Sequence, residues 1–126
     1  MIKCVFYLPD YRKWIPPHIA QVVFGFLKLA RDGIVDVSFA NNAREYARGY
    51  YLAEIDGLRV FYDVADANFL SPAETDQVLE DCDFIFKRSF DPSVADRMKN
   101  RDRYFPLGLF YQFFPPGFSF APIWST

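Results

Sequence analysis

Alternating apolar strands and amphipathic helices place this 126-residue chain in the α/β class, as a mainly parallel sheet of about five strands with helices on both faces and an inserted β-hairpin. Three observations predict it. An apolar run, a 3.6-period helix and a second apolar run follow one another at the start, the order of a right-handed parallel crossover. Asp56-Gly57 stands between two strand-like runs, where positive φ angles make a two-residue hairpin turn. Ser71-Pro72-Ala73-Glu74 is a capping box with proline at the first helical position, directly ahead of another strand.

The first strand is the apolar run ending at Leu8, where Pro9-Asp10 stops it; it is too short for a secretory core or a membrane span. Pro16-Pro17 opens a helix whose Ile19, Val22, Val23, Phe26, Leu27 and Ala30 fall on one face, widened by Phe24 and Leu29, and which ends near Gly33. Ile34 to Phe39 is the second strand, and Asn41 to Gly49 is a polar loop or a short helix. The hairpin arms are Tyr50–Ile55 and Leu58–Tyr62. A helix runs from the capping box to about Glu80, and a strand covers Asp83 to Phe86. Asp91-Pro92 starts a charged helix from Ser93 to about Asn100. Tyr104 to Tyr111 is a final strand interrupted by Pro106, which belongs at a strand start or sheet edge. Residues 1–112 thus form one α/β domain and 113–126 a separate aromatic, proline-rich tail.

Charge narrows the function. A net charge of −2 and a pI near 5.3 leave no field of uncompensated Lys and Arg for coating nucleic acid. Cys4 and Cys82 lack partner spacing and, with the lone His18, make no convincing metal site. They read as buried free thiols, which fits a reducing, cytoplasmic setting. No G-x-G-x-x-G or Walker loop is present, which argues against independent tight nucleotide binding, and no cofactor is expected.

The most informative stretch is Asp83-Phe84-Ile85-Phe86-Lys87-Arg88-Ser89-Phe90, a buried strand delivering two cations and a hydroxyl at its carboxyl end. Ligands of open α/β sheets bind in the crevice beyond such ends. Lys87 and Arg88 therefore read either as anion-binding groups or as salt-bridge partners of Asp63, Asp66 or Asp91. Successive strand residues point to opposite faces, so one of the two is expected to face the crevice. Ser89 is expected to hydrogen-bond the following turn, and Gly108 either admits a close backbone approach or eases a bend after Pro106.

A base that deprotonates a hydroxyl needs a reachable lone pair, which makes Asp10, His18, Asp63 and Asp66 candidates, all just past strands or at a helix start. Each has a plainer reading: loop residue for Asp10, turn or cap chemistry for Asp63 and Asp66, an exposed first-turn imidazole for His18. In the tail, Phe113, Phe114, Phe118, Phe120, Ile123 and Trp124 either fold back over the domain or form an interface to another chain.

The succession of the Ile55-Asp56-Gly57 hairpin, Val60-Phe61-Tyr62-Asp63-Val64-Ala65-Asp66, Cys82 to Phe90 and Phe105-Pro106-Leu107-Gly108-Leu109-Phe110-Tyr111 resembles the amino-terminal domain of glycosyltransferase-like proteins with two Rossmann-type domains. The resemblance covers about residues 50 to 111. It implies a three-layer, Rossmann-like domain over residues 1–112 that contacts a sugar or glycoconjugate acceptor in polysaccharide or glycoconjugate assembly. Asp66 and His18 would then be the catalytic pair, with Asp10, Asp63, Lys87, Arg88, Ser89 and Gly108 as ligand-binding residues. The donor-binding domain would come from a partner chain, or the tail would join two copies, and the isolated 126-residue chain would not turn over substrate. The competing expectation is a non-catalytic α/β interaction module of the flavodoxin or receiver kind that binds through its aromatic tail. Neither the acidic cluster of a receiver nor the hydroxyl-rich loop of a flavodoxin follows the first strand, which ends in Leu8-Pro9-Asp10.

Overall fold

A computed structural model of the chain describes residues 1–8, 17–41, 50–65 and 67–108. Strand β1 (Ile2–Leu8) leads to helix α1 (Pro17–Arg31) and strand β2 (Val35–Asn41). The hairpin β3 (Tyr50–Ile55) and β4 (Leu58–Asp63) is followed by α2 (Pro72–Asp81), β5 (Phe84–Lys87), the short α3 (Pro92–Ala95), a 3-10 turn (Arg101–Arg103) and β6 (Tyr104–Pro106). All the described strands join one sheet in the order β2-β1-β3-β4-β5-β6. Pairing is parallel for β1 with β2, β4 with β5 and β5 with β6, whereas β3 runs antiparallel to both neighbours.

The α/β class with a mostly parallel sheet holds. The sheet has six strands rather than about five, because both arms of the hairpin are full members: β3 bridges the two parallel sets and β4 starts the second. The hairpin forms as its sequence dictates, with Asp56 at φ 51° and Gly57 at φ 82°, so a type I′ turn matches the twist of the arms.

Side-chain alternation sorts the core into two clusters. On one face Val23 of α1 meets Cys4, Phe6, Val35, Tyr51, Ala53, Val60 and Tyr62, with Val22, Phe26, Leu27 and Ala30 of α1 completing the contact. On the other, Leu79 of α2 and Val94 of α3 meet Tyr50, Leu52, Phe61, Ile85 and Tyr104. α1 follows β1 toward one side of the sheet and α2 follows β4 toward the other, so crossovers of one hand place their helices on opposite faces.

Local signals set the boundaries. α1 closes in a Schellman motif in which the Ile34 N–H donates to the Leu29 carbonyl at 2.9 Å and the Gly33 N–H to that of Ala30 at 3.0 Å, with Gly33 at φ 76°. The box at α2 is complete: the Glu74 N–H donates to Ser71 Oγ and the Ser71 N–H to Glu74 Oε1, both at 3.1 Å. The charged helix expected from Ser93 to Asn100 is instead one turn, Pro92–Ala95. Asp76 of α2 ends it by accepting from the N–H groups of Lys99 and Asn100, each at 2.9 Å, which pulls that backbone away from a helical path. The last strand is Tyr104–Pro106, at the sheet edge where a proline removes no needed donor; residues 109 to 111 of the expected strand lie outside the described residues.

Replacing Gly57 by Ala forces an L side chain into a left-handed backbone and is expected to cost about 1 kcal/mol. Ser71→Ala removes the cap of α2 at a similar cost of about 1 kcal/mol. Urea unfolding of the two variants checks both values, and an unchanged midpoint in either would contradict the local account.

Candidate functional site

The carboxyl ends of β4, β5 and β6 lie side by side, and Asp63 and Lys87 are register partners at the ends of the first two. Both point to the α2/α3 face and both are buried, at 4% and 1% exposure. The Lys87 ammonium donates to the carbonyls of Ala65 at 2.8 Å and Ala67 at 3.1 Å and stands 3.4 Å from Asp63 Oδ1. Three acceptors therefore meet its three donors. Asp63 Oδ1 also accepts the Ala65 N–H at 3.2 Å, which turns the chain sharply after β4.

Of the two expectations for Lys87, the salt bridge with Asp63 is the one formed, and this ammonium does not face an open crevice. Arg88 lies beyond the strand in a turn: its N–H donates to the Asp63 carbonyl at 2.8 Å and its Nη1 to the Val64 carbonyl at 3.4 Å. Ser89 is exposed at φ 55°, a left-handed conformation that costs a non-glycine residue about 1 kcal/mol. After it, Asp91 opens α3 as the sequence indicates: its Oδ1 accepts the Ser93 N–H at 2.9 Å and caps the helix. The Leu107 N–H donates to the Lys87 carbonyl at 2.8 Å, which brings Gly108 to the same rim. A Cβ at Gly108 would meet nothing within 4 Å, so no close approach to the described residues requires glycine there.

Asp63, Lys87, Arg88, Ser89 and Gly108 are thus gathered at one edge. His18 is in the first turn of α1, with its side chain outside the described residues, and Asp10 and Asp66 lie outside them altogether. Among the described residues no group of three His, Cys, Asp and Glu is placed to hold a metal ion. Cys4 and Cys82 are buried and are not joined in a disulfide. No described helix is long and apolar enough to cross a membrane.

Sequence reasoning passed over two tyrosines at this edge. Tyr50 is the register partner of Asp63 across the hairpin, 4% exposed, and its hydroxyl has no hydrogen-bond partner among the described residues. Burial, then the charges of Asp63 and Glu74, push its pKa up to about 12. Tyr104 is likewise raised to about 12 by burial and by Asp63 and Asp91. The signal for Tyr50 was available: counting outward from Asp56-Gly57 pairs residue 50 with residue 63.

Burial also pushes the Asp63 carboxyl up to about 6, outweighing the Lys87 ammonium and the Ala65 N–H that favour its charged form. A group that binds its proton more tightly when folded stabilises the fold most below its unfolded pKa, and that contribution falls as pH rises through the folded value. Wild type is therefore expected to lose stability relative to Asp63→Asn between about pH 4 and 6, and to keep a constant difference above that range. Urea titrations across the range, with the carboxyl 13C shift of Asp63, check this; titration of that carbon below pH 4 would contradict it.

Removing one member of a buried ion pair leaves the other uncompensated, so Lys87→Met is expected to cost about 3–5 kcal/mol. The double variant Asp63→Asn, Lys87→Met should lose less than the two single losses combined. Additive losses would mean that the pair is not coupled.

Compared with known proteins, the chain matches no protein-family model, no curated protein and no solved structure.

Proposed function

We propose that the chain is a Rossmann-like, three-layer, acceptor-side domain of a glycosyltransferase-like system, acting in polysaccharide or glycoconjugate assembly with its donor-binding domain supplied elsewhere. The observation that carries this reading is the rim at the carboxyl edge, where the exits of β4, β5 and β6 bring together Asp63, Lys87, Arg88, Ser89 and Gly108. Such an edge is where open α/β sheets receive their ligands.

The chemistry of the rim favours a polyhydroxylated acceptor over the pyrophosphate of a donor. Lys87 is saturated by two carbonyls and a carboxylate, so its charge serves the fold rather than an incoming phosphate. The sequence has no glycine-rich loop to present a row of N–H groups to phosphate oxygens. Remaining at the rim are the Ser89 hydroxyl, the Arg88 turn and the backbone leading to Gly108, groups that suit neutral hydroxyls. Two buried cysteines outside any disulfide agree with a cytoplasmic, reducing setting.

The interaction-module reading draws on the same saturated lysine, because a rim whose charges are already paired holds no reacting group among the described residues. One titration separates the two. Neutral oligosaccharides added to the 15N-labelled protein are expected to bind weakly and to shift the amides of Arg88, Ser89 and Gly108, while nucleotide sugars are neither cleaved nor transferred. Shifts confined to other surfaces would remove the acceptor reading, and turnover of a nucleotide sugar by the chain alone would overturn the assignment of the donor site elsewhere.

A further inference from the structure

The two crossover directions leave two quarters of the sheet without a described helix. α1 packs against β2 on its own face, whereas α2 and α3 cover the opposite face toward β4, β5 and β6. The uncovered quarters differ in chemistry. On the α2/α3 side of β1 and β2, Lys3, Asp36 and Ser38 are exposed, a surface suited to water. On the α1 side of β5 and β6 the surface is aromatic.

There Phe84 and Phe105 have ring centroids 6.1 Å apart, Phe86 and Phe105 5.8 Å, and Phe86 and Tyr62 5.8 Å. Phe84 and Phe86 are only half-buried and Phe105 is 37% exposed. The ring contacts of these three phenylalanines are to one another and to Tyr62, with no described helix among them. A contiguous aromatic strip of this kind marks a surface that something apolar covers.

We propose that residues 109–126 of this chain are that cover, laid in cis across Phe84, Phe86 and Phe105. The chain leaves β6 at the strip itself: Leu107 packs against the α1-side cluster, and Gly108 follows it into the open. The chemistry is complementary. Residues 109–126 carry no charged side chain and supply Phe113, Phe114, Phe118, Phe120, Ile123 and Trp124. Pro115, Pro116, Gly117 and Pro122 exclude a regular helix, so the segment suits an irregular layer over a strip rather than another crossover helix.

Reach is ample. Eighteen residues extend to roughly 60 Å, while a seven-residue strand is about 23 Å long, so one pass along the strip leaves slack. The other segments outside the described residues connect elements away from β5 and β6 in the strand order: residues 9–16 link β1 to α1 and residues 42–49 link β2 to β3.

Trp124 reports on this directly once Trp14, the other tryptophan, is replaced by Phe in the full chain. The expected result is a blue-shifted Trp124 emission in a sedimentation monomer, unchanged on dilution and moved to the unfolded-state wavelength by Phe105→Asp. Should Phe105→Asp fail to fold, wild-type NMR decides, with nuclear Overhauser contacts expected between the rings of Phe86 or Phe105 and those of Phe118, Phe120 or Trp124 in the monomer. Solvent-like emission in the folded protein, a blue shift that vanishes on dilution together with a dimer, or a monomer without those ring contacts would each overturn the proposal. A blue shift lost with dimer dissociation would assign the strip to a second copy.

Discussion

The buried ammonium of Lys87 is the constraint around which the carboxyl edge of the sheet is arranged. An isolated charge at 1% exposure would be prohibitively costly, and the chain offsets it by folding the segment after β4 back over the end of β5. Ala65 and Ala67 turn their carbonyls inward, Asp63 completes the shell, and the backbone of Arg88 continues the ladder onto the Asp63 carbonyl. From β5 the same residue passes order to its other neighbour, because its own carbonyl accepts the Leu107 N–H. One side chain and its backbone thus fasten three consecutive strand exits.

The opposite edge is fastened differently. Asp83 Oδ2 accepts the Arg59 N–H at 2.8 Å, Arg59 Nη1 donates to the Asp81 carbonyl, and Arg103 Nη1 donates to the carbonyls of Cys82 and Asp83. These groups are exposed or partly so, where charge interactions are individually weak and screened by salt. The contrast places the rigid polar cluster on the side where α/β sheets carry their ligand sites.

Much of the fold was legible because its signals are local. The Asp56-Gly57 turn, the Ser71 capping box and the apolar face from Val22 to Ala30 each act within a few residues, and each formed where the sequence placed it. The misreadings came from contacts distant in sequence. Asp76 truncates α3 by capturing backbone 23 and 24 residues away, and no pattern around Ser93 announces that. At the rim, Asp63 was one of three carboxylates that the sequence offered Lys87 and Arg88, and whether the cation faced ligand or core depended on where the carbonyls of Ala65 and Ala67 fall, which only packing decides. The start of α3 was itself legible, since Asp91-Pro92 caps and opens that helix as the sequence indicates.

The position of β3 has a consequence for how the chain assembles. Every parallel pairing in this sheet must close a long loop, and such closures are slow because chain entropy is lost before contacts compensate for it. Among the described strands only the β3–β4 pair is contiguous in sequence, and it lies at the centre of the strand order. The hairpin is therefore the natural template for folding, with β1 and β2 accreting on one flank and β5 and β6 on the other. On such a route the kinetic barrier is most sensitive to the two residues of its tight bend, at the end of the sheet opposite the buried Asp63–Lys87 pair.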